Sequence, residues 1–432
     1  MKRTLLTLIL SLCVIAMSAQ TTLRVTRGTI HEVFNATADE MLFSTTAEGS
    51  TVTIGGITYL TDEITAITIG EESVADGTVS VTYLTDGTAE VIIAGDVAPY
   101  LYTTVSGQDV SIDTDTTYTG VIAYTLAGTA TAGSFTMDGK NNTTLTLNGV
   151  SITSPDTAAI NIRNGKHCTI NVLGTNTFAD GATGGQKGAF FCNGHATFQG
   201  DGTVNITGNA RHGYRSDEYT VFSEDFTGTF NILSAASDAI NVQQYLTIAN
   251  GTFTITNNTG DGIDVGINND STKTRNGQLL ITGGTISVSA TTADTKAIKA
   301  DSTITVTGGT FNINVTGNGC KGISAGTDFR TSSGTFNLSV TGSSYYYITP
   351  LNGEDSSRCQ GIRAKQDFYL VGDATNFPTF NINTDSDDEK TYGIRIKGWF
   401  YYTAAALRAS GFNTKDAKWT SGQAKQVTSW DF

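Results

Sequence analysis

The chain has 432 residues, enough for one long domain or two, with a sizeable buried core. Its 48 Gly, only 4 Pro and abundant Thr and Asn point to short strands joined by tight turns, and charged residues make up 15%, which suits a β-solenoid better than a helical protein. A net charge of -14 argues against nucleic acid, whose phosphates need Lys and Arg, and is compatible with glycans and with calcium.

Residues 1–19 read as a secretory signal. Lys2 and Arg3 give a basic start, residues 5–16 an apolar core too short to span a bilayer, and Ala19 a small-residue end before Gln20. Leu12 is too bulky for lipoprotein processing at Cys13, so the expectation is export to the periplasm, cell surface or medium after cleavage near Ala19. No later stretch could enter a membrane. Cys168, Cys192, Cys320 and Cys359 remain, and export permits disulfides among them in three pairings.

Residues 20–98 predict a small antiparallel β region. Segments 23–43 and 51–69 each read as strand, turn, strand, and Asp86–Gly87 marks a hairpin between residues 79–85 and 88–93. From Tyr100 the rhythm changes. Residues 105–112 and 121–126 read as strands, and residues 145–152 as the first half-coil of a repeat.

Two markers then recur. The first is Ala159-Ile160, Ala189-Phe190, Gly213-Tyr214, Ala239-Ile240, Gly262-Ile263, Ala297-Ile298, Gly322-Ile323, Gly361-Ile362 and Gly393-Ile394, at spacings of 30, 24, 26, 23, 35, 25, 39 and 32. The second is Gly-Thr-Phe-Asn-Ile or a close variant, beginning at Gly202, Gly228, Gly251, Gly284, Gly309 and Gly334, and at Pro378. A short period with two fixed strand motifs is a repeat architecture in which stacking buries what a single unit cannot. Strand alternation predicts Phe230, Phe253, Phe311, Phe336 and Phe380 stacked inside, with Thr and Asn in polar ladders outside. The long units must release loops at 268–278, 343–358 and 385–391, the positions where function concentrates. Thr403 to Ala409 carries a helix signal, and residues 403–432 predict a C-terminal cap over the last open edge.

The run Thr144-Leu-Thr-Leu-Asn-Gly-Val-Ser-Ile-Thr-Ser154, with Ala158-Ala-Ile-Asn-Ile162 and Thr169-Ile-Asn-Val-Leu-Gly-Thr-Asn-Thr177, resembles a bacterial carbohydrate-binding family similar to pectate lyases. The resemblance covers roughly residues 100–400 by repeat count. It implies an all-β, right-handed, single-stranded parallel β-helix of about nine or more coils at 99–402, secreted and monomeric. It also implies binding of a plant cell-wall-type or acidic polysaccharide, with calcium as an assisting ion. The Asp start of the first marker holds only at Asp238 and Asp261, which is a departure from the family.

Three constellations stand out. Asp238 and Asp261 fall at equivalent positions of successive coils, as do Asn241 and Asp264, and crowded carboxylates with hard oxygens suit Ca²⁺, with Asp217 and Glu218 one coil earlier as further ligands. Turns favour Asp and Asn without any metal. Arg363, Lys365, Arg395 and Lys397 stack on one outward strip near Lys299; they could hold uronate carboxylates or, in a lyase, supply a base, unless Asp385, Asp387, Asp388 and Glu389 pair with them. Tyr345, Tyr346, Tyr347, Trp399 and Tyr401 could stack on sugar rings, or could be core. His167, Cys168, Cys192 and His195 have zinc-like composition but fall on opposite faces of a strand. Cys320 and Cys359 are equivalent positions, open to a disulfide or a thiol stack. The leading expectation is non-catalytic polysaccharide binding. A calcium-dependent lyase or hydrolase and a structural surface protein or adhesin are the alternatives.

Overall fold

The computed structural model describes residues 22–35, 41–47, 49–70, 74–256, 258–349, 353–384, 391–412, 417–418 and 423–429. The expected signal segment and the acidic residues Asp385, Asp387, Asp388 and Glu389 lie outside them.

The first marker forms one long sheet. After the hairpin Leu101–Ser106 and Gln108–Thr114, every later pairing is parallel. The order runs through Gly133–Asp138, Ile160–Ile162, Gly188–Cys192, His212–Ser216, Ile240–Gln243, Ile263–Gly266, Lys296–Ala300, Lys321–Ala325, Gln360–Ala364 and Tyr392–Ile396 to Ala417–Lys418. The second marker forms another parallel run, Thr203–Gly208, Thr229–Ala235, Thr252–Ile255, Thr285–Ala290, Thr310–Val315, Thr335–Val340 and Thr379–Asn383. A third run lies between them in sequence, from His167–Leu173 to Phe400–Tyr402. The fold is therefore all-β with long parallel sheets, and it is β-helix-like.

In-register stacking decides what lies inside. Phe230, Phe253, Phe311, Phe336 and Phe380 are all buried. Phe336 stacks face to face between Phe311 (4.7 Å) and Phe380 (4.9 Å). The alternate residues of the same strands form amide ladders on the outside. Asn231 donates to Asn205 at 2.9 Å, Asn337 to Asn312 at 3.0 Å and Asn381 to Asn337 at 2.8 Å.

The ends differ from a pure sequence reading. Residues 105–112 are not one strand: the chain reverses at Gly107, whose φ of +60° favours glycine. The N-terminal region contains the expected hairpins, but Ile30–Asn35 pairs in parallel with Ala89–Ala94, and Thr78–Tyr83 in parallel with Ile122–Ala130. Those pairings join it to the large sheet. At the other end Ala404–Ala409 is a helix with Thr403 as its N-cap, and Phe412 stacks on Phe400 at 4.9 Å over the end of the aromatic core. Ala417–Lys418 and Ala424–Gln426 continue two of the parallel runs beyond it. Cys168, Cys192, Cys320 and Cys359 are buried and none is in a disulfide, so Cys320 and Cys359 are not bridged. No helix among the described residues is long and apolar enough to cross a membrane.

The two faces of one strand should respond unequally. Phe253→Ala is expected to cost about 3–5 kcal/mol by opening a cavity in the stack. Asn337→Ala, outward in an equivalent strand, should cost about 1 kcal/mol. Urea denaturation of the two variants checks this, and equal losses would contradict the assigned faces.

Candidate functional site

Because the long sheet is parallel and in register, the residue after each marker Ile, Phe or Tyr forms a single outward column. In order it reads Thr136, Asn161, Phe191, Arg215, Asn241, Asp264, Lys299, Ser324, Arg363, Arg395 and Lys418. A second column three residues earlier passes through Asp238, Asp261, Lys296, Lys321, Gln360 and Tyr392. The acidic cluster and the basic strip are thus on one face, separated along it.

Asp238, Asp261 and Asp264 bring one ligand atom each to within 4.8 Å of one another. Part of their capacity is spent on the fold. Asp238 Oδ1 accepts the Asp261 backbone N–H at 2.8 Å, and Asp261 Oδ1 accepts the Lys296 N–H at 2.8 Å, so each carboxylate pins the start of the next strand. Lys299 Nζ sits 2.8 Å from Asp264 and 3.3 Å from Asp301. Burial pushes the Asp261 carboxyl up to about 6, the neighbouring Asp238 and Asp264 charges add to that, and Lys296 opposes it. Asp264 is raised by burial too, against the pull of Lys299. His212, 3.5 Å from Asp238, is driven down to about 4 by burial.

Two expected ligands are placed otherwise. Asn241 turns its NH₂ toward Asp238 (2.7 Å) and Asp264 (3.2 Å), while its oxygen accepts from Arg215. It braces the carboxylates as a donor and does not offer them a cation ligand. Asp217 is drawn away into ion pairs with Arg215 (2.8 Å) and Lys187, and Glu218 pairs with Lys273 at 2.7 Å. Three carboxylates remain. Their hard oxygens fit Ca²⁺, which takes 6–8 oxygens, provided that water or a ligand supplies the rest.

Arg363 and Arg395 are in direct register. Among the described residues no carboxylate forms an ion pair with Arg363, Lys365, Arg395 or Lys397. Their mutual repulsion shows in the lysines. Lys397 is lowered first by Arg363 and then by burial, and Lys365 by burial and Arg363. Among the described residues the strip carries surplus positive charge, on a chain of net charge -14.

The loop at 343–358 forms a hairpin, Tyr345–Thr349 against Gly353–Ser357. It holds Tyr346 out at 69% exposure and stacks Tyr345 on Tyr347 at 6.0 Å. Tyr347 stands near enough to Arg363 for the charge of each to act on the other. The hairpin is tied down by Lys321, whose ammonium donates to Ser357 Oγ at 2.6 Å and to the Gly319 carbonyl at 2.9 Å. Ser357 in turn bonds Asp294, and burial lowers Lys321 to about 8. Sequence reasoning misses this anchor because it links Asp294, Lys321 and Ser357, residues far apart in the chain.

Trp399 and Tyr401 belong to a different sheet. Tyr401 lies flat on Tyr369 at 4.8 Å, with Trp399 6.2 Å away. Tyr401 is therefore flanked by two rings, and the pair does not join Tyr345–Tyr347. His167 and His195 point outward and Cys168 and Cys192 inward; His195 stacks on Tyr219 at 4.2 Å.

Comparison with known proteins gives a family. No curated protein matches the chain. A solved structure described as the polysaccharide lyase-like protein from C. thermocellum, in a gadolinium derivative, is 20% identical with a TM-score of 0.49, covering 59% of this chain and 97% of that one. The family described as carbohydrate-binding domain-containing protein matches residues 106–393, two thirds of the sequence. The chain belongs to that carbohydrate-binding-domain family.

Proposed function

We propose that the protein is an exported polysaccharide-binding protein. It takes an acidic, plant cell-wall-type chain along the outward face of the long parallel sheet. Family membership supports the carbohydrate, and one observation carries the acidic part: Arg363 and Arg395 stand in register with no carboxylate partner among the described residues. Guanidinium forks suit uronate carboxylates in bidentate fashion. The Tyr345–Tyr347 hairpin overhangs the same place and offers apolar ring area with polar tips. The rest of the reading is a right-handed, single-stranded β-helix of nine or more coils, monomeric, and cleaved near Ala19 on export.

Calcium is part of the proposal, at Asp238, Asp261 and Asp264. A bound cation would relieve the repulsion of three half-buried carboxylates, and its remaining positions would accept water or glycan oxygens.

Binding is favoured over elimination by the spacing of the two groups. Asp264 and Arg363 are three strand steps apart, roughly 14 Å. Proton abstraction beside a uronate needs base and charge compensation at one sugar unit, and these two groups cannot reach the same unit. The depressed Lys365 and Lys397 keep the lyase as a second reading, because lowered lysines are the bases such a reaction would draw on.

Three outcomes are expected. The double variant Arg363→Ala/Arg395→Ala should lose at least about tenfold in affinity for polygalacturonate by affinity electrophoresis, at unchanged melting temperature, and wild-type binding should weaken as salt rises. Unchanged retardation would remove the acidic-glycan assignment. Calcium affinity should fall about tenfold per pH unit below 6, where Asp261 takes up a proton that the ion must displace; a flat profile in titrations from pH 8 to 5 would count against the site. In chelator, the raised Asp261 carboxyl opposes folding once ionised, so the cost grows from pH 4 to 6 and persists above. Asp261→Asn should then be more stable than wild type at pH 8 by up to about 3 kcal/mol, and no more stable at pH 4.

A further inference from the structure

An open groove lies at the other end of the same outward face. Its floor is Asn161 and Phe191, adjacent members of the outward column, with Arg163 and Asn193 beside them. The turns at residues 156–158 and 185–187 form its walls.

Its chemistry is unlike that of the basic strip. The charges that line it balance: Asp138 and Asp156 stand beside Arg163 and Lys187, with Arg163 3.6 Å from Asp138 and Lys187 held by Asp217. Lys187 lies over one face of Phe191, 5.1 Å from the ring centre, and the ring also lines the groove. An aromatic ring on the outer face of a sheet, in a column otherwise polar or charged, gains nothing from core packing. The side-chain amide of Asn161 makes no hydrogen bond among the described residues. Other outward amides are engaged in pairs between neighbouring strands, Asn231 donating to Asn205 and Asn337 to Asn312. A partly exposed ring next to an unengaged amide, in a groove with no surplus charge, matches a pyranose ring: an apolar C–H face on the aromatic and hydroxyls on the amides.

We infer that this groove is a second glycan subsite, selective for an uncharged sugar unit, with Phe191 as its platform and Asn161 as its hydroxyl partner. The inference rests on the proposed glycan-binding function and adds a different part of the ligand. Phe191 and Arg363 are six strand steps apart along the column, roughly 29 Å. A single chain running along the face would meet a neutral subsite at one end and an anionic one at the other. The ligand class is then a polysaccharide in which neutral units accompany uronates.

The test uses the full chain and isothermal titration with cellohexaose, xylohexaose and mannohexaose, beside trigalacturonate as the acidic probe. At least one neutral hexasaccharide should bind wild type. Both Phe191→Ala and Asn161→Ala should weaken it by about tenfold or more while leaving trigalacturonate binding unchanged. Arg363→Ala should do the reverse. Two variants guard against a folding defect in one, and melting temperatures are compared throughout. If none of the three neutral sugars binds, or if binding is unaltered in both groove variants, the subsite is overturned. Loss of trigalacturonate binding alone would instead sink the acidic assignment and leave the groove standing.

Discussion

One constraint governs this molecule: parallel strands must stack in register at about 4.8 Å, because each inward side chain has to meet its counterpart in the next strand. The Phe311, Phe336 and Phe380 stack is that constraint at its strictest, and a one-residue slip would send all three rings into solvent. The same register turns every outward position into a column. Whatever residue the sequence places after the marker Ile is automatically set beside its equivalents, with no loop needed to bring them together. Chemistry can therefore be laid out along the sheet like a printed strip.

The strip is not uniform. In its middle some charges pair, Arg215 with Asp217 and Asp264 with Lys299, beside the crowded carboxylates of Asp238 and Asp261. Its ends are not alike. The first presents an aromatic and an amide, the last a pair of guanidinium groups without carboxylate partners among the described residues. Ion pairs at the surface add little stability, so the contrast bears on recognition more than on folding. Lys321 shows the opposite case, a charge taken almost wholly out of water at 3% side-chain exposure. Its burial is offset by Ser357, the Gly319 carbonyl and nearby Asp294, and the outcome is a fixed base for the tyrosine hairpin.

Much of the fold was legible because repetition multiplies a weak signal. A single Thr-Phe-Asn-Ile says little, but seven near-copies assign the Phe column and the Asn ladder without ambiguity. The hairpin at Gly107 is hidden in the sequence because two strands that alternate in phase read as one when a lone glycine separates them. The candidate site was legible in part. The equivalence of Asp238 with Asp261 and of Asn241 with Asp264 followed from spacing alone. The direction of an amide does not follow from spacing, and Arg215 claims the Asn241 oxygen that a cation would need. Nor does spacing show that Arg215 and Lys187 both pair with Asp217. Phe191 carries its own signal in the sequence: it is the one aromatic among the residues that follow the marker Ile, Phe or Tyr.

The central claim is that glycan runs along the outward face of the long parallel sheet. A crystal structure of the protein with calcium and an acidic oligosaccharide tests it most directly. The account predicts sugar density over the column between Phe191 and Arg395, with carboxylates at Arg363 and Arg395. Sugar bound instead on the sheet that carries Trp399 and Tyr401, or along the Asn ladder of the Thr-Phe-Asn-Ile strands, would contradict it.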